Sequence, residues 1–515
     1  MPDPSRVAEA PPRPVRPRPL RLLRRGLRWF REHVDLTLDA LATWPVMEGV
    51  LGSFLLTIGA LSPAFLPRAS QGGGDLFPSP WLGTVLLLVG TSLILDGWFR
   101  LRPGRGAKTH TGRRPRYLAV LALWVAPLLA APPMLSGDAY AYAAQGWLVA
   151  NGLDPYQLGP AALPGPWADQ VDPMWLDAPT PYGPLSLWLQ YLTVSAVGDS
   201  VYAAAWGMRL WSLLGVGLLA WSVPRIAARL GLDSARAMWL GVLNPLVLLH
   251  FVGGAHNDAL MMGFVALGLW FAVCRRNLFW AAVAVGLAAA VKQPAAIAVA
   301  AITVLAMRPG VDRDGPVRGW PSRTHVVNCV IATVVVVATF VLCSTLTGIG
   351  FGWIAAMGVP GGAMTLSPAT LVGAGLQLLF AQLGWHAVAA VALETARSIG
   401  IVVALGVIAW LVLRVAARKP MTYLVGSFLA LVLGGPAMHA WYLLWPGVLV
   451  GLLPYAAKLW RVCIWLTTFW VCYAVADVAF RNQSPVLAGL ALLVSGVQVL
   501  NDERKWRLTW GQGST

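Results

Sequence analysis

Long apolar stretches alternate with short polar turns along most of the chain. Because about 20 apolar residues cover the hydrocarbon thickness of a bilayer, the pattern predicts helical spans. They fall at roughly 47–65, 81–99, 117–134, 201–223, 236–252, 257–274, 278–291, 293–307, 325–347, 394–415, 421–436, 441–457, 461–480 and 484–500, about 14 in all. Two places depart from simple alternation. Within the polar stretch 135–200, residues 138–150 and 184–198 read as short helices lying along the membrane surface. Residues 278–307 as one long helix would send the basic loop 308–323 outward, so they read as two short legs broken by Pro294 in "VKQP", with Lys292 at the apex. The predicted class is an all-α polytopic membrane protein.

Composition sharpens this picture. The chain has 515 residues, of which 57% are hydrophobic and only 12% charged. Its mean hydropathy is +0.65. A soluble protein of this size cannot bury that much apolar surface, whereas helices satisfy their own backbone in lipid. A soluble helical solenoid needs polar faces at a fixed period, and neither these nor any internal repeat is present. The 26 tryptophans suit rings at membrane interfaces.

Charge sets the orientation. The net charge of +16 suggests nucleic-acid binding only until its distribution is considered. The basic residues sit in short loops: Arg100 to Arg116, Arg225 to Arg236, Arg275 and Arg276, Arg308 to Arg323, Arg414 to Lys419, Lys458 and Arg461, and Arg504 and Lys505. That is the mark of cytoplasmic loops, with both termini inside, and no nucleic-acid partner is expected. Residues 1–45 form a basic Pro/Arg-rich cytoplasmic segment without the features of a signal peptide. Leu20 to Ala42 reads either as a basic amphipathic surface helix or as a plain orienting tail. Residues 46–116 hold two extra spans and a basic loop, 117–500 the main membrane module, and 501–515 a cytoplasmic tail. The five cysteines lie in or at the ends of spans, with no metal-ligand spacing, so neither disulfides nor a metal site is expected.

The stretch 135–200 differs in kind. It contains no Lys or Arg and six aspartates, Asp138, Asp154, Asp169, Asp172, Asp177 and Asp199, and it faces outward. Asp138 stands at the exit of the third span, in "MLSGDAYAYAAQG". A carboxylate there can take a proton from a hydroxyl, with Tyr140, Tyr142 and Gln145 along the same short helix within reach of a sugar. The plainer reading is a helix cap by Ser136 or Asp138. Asp154 and Asp172, each before a proline, read first as turn starters, with Asp172 also a candidate second acid–base group. Tyr182 in "TPYGPL" offers a ring on which a sugar face stacks.

Lys292 has no acid nearby in sequence, so at membrane depth it calls for an anion such as a lipid phosphate, or else snorkels to the interface. Arg209 is a second candidate phosphate partner. His256, Asn257 and Asp258 read as a helix start or as a site for a sugar phosphate. His439, Trp441 and Tyr442 occupy another outer turn, where Trp and Tyr usually anchor an interface. All these residues map to the outer side, whereas a lipid-saccharide transporter more often places polar groups near the midplane.

In chain order stand "WVAPLLAAPPMLSGDAYAYAAQG", "NGLDPYQLGPAA", "PTPYGPLSLW", "LNPLVLLHFVGGAHNDALMMG", "VKQPA", "GFGWI", "LSPATL" and "WYLLW". The series resembles the actinobacterial polyprenol-phosphomannose-dependent alpha-(1→6)-mannosyltransferases of the MptA and MptB type, over about residues 46–500. The resemblance implies the GT-C glycosyltransferase fold, with a catalytic aspartate in the first outer loop of the core module; Asp138 occupies that place. It also implies a polyprenyl-phosphate-mannose donor held near Lys292 or Arg209, a mannan or lipomannan acceptor, no cofactor, and a site on the outer face of the plasma membrane. The family pattern has a Gln shortly before "WYLLW", where His439 stands here. The sequence leaves two other readings open, transfer of another sugar such as arabinose or glucose, and a flippase for a lipid-linked saccharide.

Overall fold

The computed structural model describes residues 39–41, 43–62, 65, 80–104, 116–307, 322–359, 365–454 and 457–510. Most of the expected surface helix at 20–42 lies outside these residues, as do most of the basic loops 100–116 and 308–323. Every regular element among the described residues is helical. The longer helices are α1 (Trp44–Gly59), α2 (Pro80–Arg100), α3 (Tyr117–Leu128), α4 (Asp138–Ala150), α5 (Pro184–Val197), α6 (Val201–Gly207), α7 (Arg209–Arg229), α8 (Asp258–Trp270), α9 (Leu278–Val291), α10 (Ala298–Met307) and α11 (Arg323–Thr347). They continue as α12 (Pro368–Gln382), α13 (His386–Arg414), α14 (Pro420–Gly434), α15 (Leu444–Val450), α16 (Ala457–Arg481) and α17 (Pro485–Trp510).

Among the described residues, six helical segments are long and apolar enough to cross a membrane, or seven if a bent pair counts as one span. That pair, Ser234–Val242 and Val247–Gly253, turns by 60° where Pro245 interrupts the ladder. Asn244 covers the break, accepting from the N–H of Leu246 and donating to Leu240 O and Thr467 Oγ1. Several other expected spans are helices of 10–17 residues. The segment 441–457 holds only the seven-residue α15, which ends at Gly451. The helix α12 lies where no span is predicted, and α13 starts eight residues earlier than expected. The short helices expected at 138–150 and 184–198 are present, the second ending at Val197, and the break at Lys292 falls where the sequence puts it.

Close packing fixes the frame around the polar end. A Cβ on Gly215 of α7 would stand 2.2 Å from the backbone of Ala259, so only glycine lets α7 lie this close to the start of α8. At the other end of the broken span, Trp98 Nε1 donates to Trp239 O and Trp239 Nε1 donates back to Trp98 O, with the rings stacked at 4.2 Å. In contrast, α11 and α13 expose Val334, Val337, Val402, Leu405 and Trp410. Only 17% of the most apolar stretch of each is buried, as a lipid-facing wall requires.

Candidate active site

Four polar stretches distant in sequence meet at one end of the helices. They are the start of α4, the turn before α8, the break at Lys292 and the loop between α14 and α15. Arg209, at the first turn of α7, builds the base of this assembly. Its guanidinium is buried and donates to five backbone carbonyls: Nε to Val252, Nη1 to Leu129 and Ala131, and Nη2 to Pro132 and Gly253. All five N–H donors of the side chain are thereby used. Arg209 thus ties the segment before α4 to the segment before α8, and it leaves nothing for the phosphate suggested by the sequence. The Met134 N–H adds a bond to Gly253 O.

Each of these segments then carries a non-glycine residue in the left-handed region, Leu135 (φ 65°) and Ala255 (φ 55°). Such residues cost about 1–3 kcal/mol each and cluster where surrounding structure enforces them. Here they turn the chain so that the next residues, Asp138 and His256, face each other. Asp138 begins α4, and its backbone N–H donates to Ser136 Oγ. The N-cap position is Gly137, no side chain caps it, and the Asp138 carboxylate is therefore not spent on the helix end. Asp138 Oδ2 lies 3.3 Å from His256 Nδ1 and 3.4 Å from the Tyr142 hydroxyl, which donates to it. The imidazole contact is off the ideal N–H direction, so it is an electrostatic pairing more than an aligned hydrogen bond. Burial pushes the Asp138 carboxyl upward. The His256 contact first, then the charge that His439 takes up at acid pH, and Ser136 outweigh it and hold the carboxyl below the usual range.

His256 is fully buried, and its ring stacks on the Trp441 indole at 3.9 Å. His439 stacks on the same indole at 4.5 Å. Burial pushes His439 down to about 4, so it is neutral near pH 7 and contributes no charge to Asp138 there. Tyr442 meets His439 edge-on at 5.2 Å. The rings of Tyr142 and Tyr182 also meet edge-on, at 5.3 Å. Burial keeps both phenols well above their ordinary range.

Lys292 finds the acid that its neighbours in sequence lack. Its Nζ lies 2.9 Å from Asp258 Oδ1, which also accepts from Trp445 Nε1 at 2.6 Å. The ammonium stands over the rings of Tyr442 (4.4 Å), Trp445 (5.3 Å) and Tyr182 (5.5 Å). The sequence argument for an external anion therefore loses its premise: an internal ion pair in an aromatic cage already accounts for this buried charge. Gly183 makes the cage possible, since a Cβ there would meet Ala290 O at 2.2 Å.

Other residues singled out in the sequence lie around this centre. Asn257 Nδ2 donates to Ser186 Oγ on α5, as does Gln190 Nε2. These three line a small cavity behind Tyr142. Gln145 is buried on α4, and its amide oxygen has no hydrogen-bond partner among the described residues. Asp172 is exposed and caps the turn Pro173–Trp175 by accepting from the Met174 N–H, which is the turn-starter reading. Nothing joins it to the Asp138 cluster. His250 belongs to the cluster but was not singled out; it is buried, 5.7 Å from the Trp441 ring and 6.0 Å from His256. Its position six residues before His256, in "LLHFVGGAH", is the signal that would have pointed to it. Among the described residues no group of three His, Cys, Asp or Glu side chains could hold a metal ion.

Residues 46–308 match the family model described as alpha-(1→6)-mannopyranosyltransferase, N-terminal domain, and residues 369–500 match the MptB C-terminal domain. The chain belongs to the alpha-(1→6)-mannopyranosyltransferase family. The alpha-(1→6)-mannopyranosyltransferase A of Mycobacterium tuberculosis is 33% identical over 426 residues, covering 78% of this chain and 78% of that protein. A probable alpha-(1→6)-mannopyranosyltransferase of Mycolicibacterium smegmatis is 31% identical over 450 residues, 77% of this chain and 76% of the relative. The alpha-(1→6)-mannopyranosyltransferase A of Corynebacterium glutamicum is 32% identical over 384 residues, 70% of this chain and 77% of the relative. No solved structure matches the chain. In this mannosyltransferase the site spans both matched regions. Asp138, His256, Asp258 and Lys292 come from the N-terminal one, and His439, Trp441, Tyr442 and Trp445 from the C-terminal one.

Proposed function

We propose that this chain moves mannose from polyprenyl-phosphate-mannose to the 6-hydroxyl of a mannan or lipomannan acceptor at the outer face of the plasma membrane. Asp138 is the general base. It takes the hydroxyl proton as O6 attacks the anomeric carbon, the bond from that carbon to the phosphate oxygen breaks, and polyprenyl phosphate leaves. Attack opposite the leaving group turns a β-linked donor into an α-linked product. The observation that carries the reading is a partly exposed carboxylate that is not spent on capping its helix and lies beside Tyr142 and His256. Lys292 is a buried cation not consumed by backbone carbonyls, and its field favours the departing phosphate even though Asp258 offsets part of it. The open faces of α11 and α13 suit a donor that arrives from lipid.

The test uses membranes containing the full chain or Asp138→Asn, given radiolabelled polyprenyl-phosphate-mannose and a short α-(1→6)-mannoside. Elongation by the parent chain, reduced at least a hundredfold in the variant at equal protein level, is the expected result. An undiminished variant removes Asp138 from the mechanism. A parent chain that transfers no mannose but uses another polyprenyl-phosphate sugar would replace the substrate.

A further inference from the structure

We infer that His256 is the positioning residue of this site: held flat against Trp441, it fixes the Asp138 carboxylate and keeps it ionised for the acceptor hydroxyl. The inference rests on the reading of Asp138 as base, and assigns the device that makes this half-buried carboxylate usable.

The geometry leaves His256 little freedom. Its backbone follows Ala255 in the left-handed region, its ring is wholly buried, and one face lies on Trp441 at an interplanar angle of 18°. The ring edge turned to Asp138 presents Nδ1 at 3.3 Å from Oδ2. Tyr142 reaches the same oxygen, so the other carboxylate oxygen is the one left for a substrate. In apo structures such contacts are often long and tighten when substrate arrives.

The other charged or titratable groups facing this carboxylate do not replace His256. His439, from the loop before α15, is neutral down to about pH 4. Lys292 is paired with Asp258. Tyr142, Tyr182 and Tyr442 are phenols kept protonated by burial. His250 stands behind, with its ring 6.0 Å from that of His256. Without His256, burial is the largest remaining influence on Asp138, and burial favours the protonated acid, which cannot act as a base.

Two variants of the full chain in membranes separate positioning from packing. His256→Phe keeps a ring against Trp441 but removes the donor. His256→Gln keeps a donor and removes the ring. Mannosyl transfer would be followed across about pH 5 to 8. For His256→Phe burial acts on the carboxyl with less to oppose it, and an acid limb is expected to enter this range, so that transfer near pH 5 falls about tenfold further than transfer near pH 8. His256→Gln is expected to recover most of that differential loss. If both variants lose the same factor at every pH, His256 only fills space and the inference falls. Should His256→Phe not accumulate, His256→Met takes its place as the variant without a donor, with the same expected and refuting results. Wild-type transfer by Asp138→Asn would instead defeat the base assignment, whatever His256 does.

Discussion

Arg209→Met separates a structural arginine from a phosphate ligand. Of the five carbonyls that the guanidinium serves, Leu129 O also accepts from Trp206 Nε1 and Gly253 O from the Met134 N–H. Ala131, Pro132 and Val252 rely on Arg209. Leaving three buried carbonyls without a donor costs about 3–9 kcal/mol at 1–3 kcal/mol each. Removing the arginine also relieves the desolvation of its charge, which offsets several kcal/mol. A net loss of about 3 kcal/mol is the expected balance, in line with breaking other buried charged contacts. Arg209→Lys should recover little, since one ammonium cannot span carbonyls on both segments. The assay is thermal unfolding of the detergent-solubilised protein, read alongside the KM for donor in membranes. The expected result is a melting temperature lowered by several degrees in both variants. Unchanged melting with a raised donor KM would refute the argument and return Arg209 to the phosphate.

Two further outcomes follow from the same geometry. Lys292→Met leaves Asp258 as a buried, unpaired carboxylate and should cost about 3–5 kcal/mol. The double variant Lys292→Met/Asp258→Leu should regain most of the melting temperature without regaining transfer; equal transfer by the double variant and the parent would mean that the ammonium only holds the fold. His439 ties stability to pH. Its folded value of about 4 lies below its ordinary 6.5, so the unfolded chain binds a proton first. Stability from this group is complete above about pH 6.5 and is lost as pH falls toward 4. His439→Phe keeps a ring for Trp441 and should flatten that part of the melting-temperature profile; an unchanged slope would assign it to another group.

Local features were legible in the sequence. Pro294 announces the break that brings Lys292 to the site, and Ser136 with Asp138 announces the start of α4. What the sequence hid are pairings across distance. Lys292 reads as unpaired along the chain because its counter-ion lies 34 residues away, brought alongside by the packing of α8 on α9. Arg209 reads as a free cation because backbone carbonyls leave no trace in a sequence. The helix α12 escaped notice because Gly373 and Gly375 dilute its 15 residues and Pro368 marks its start as a turn. The stacking of His256 and His439 on Trp441 joins histidines from different matched regions, which no local spacing signals.

The division of the site between the two matched regions has a consequence for how the protein is made. Synthesis runs from the N-terminus, and early segments enter the membrane first. Asp138, His256 and the Asp258–Lys292 pair are then in place while much of the chain is still on the ribosome. Trp445, which caps Asp258, lies 187 residues after it, and Trp441 arrives only slightly sooner. Until that late segment docks, the imidazole has no wall and the cage around the ammonium is open. The assembly is therefore completed from its far end, and a nascent chain on the membrane holds Asp138, His256 and the ion pair without the aromatic surface that sets them.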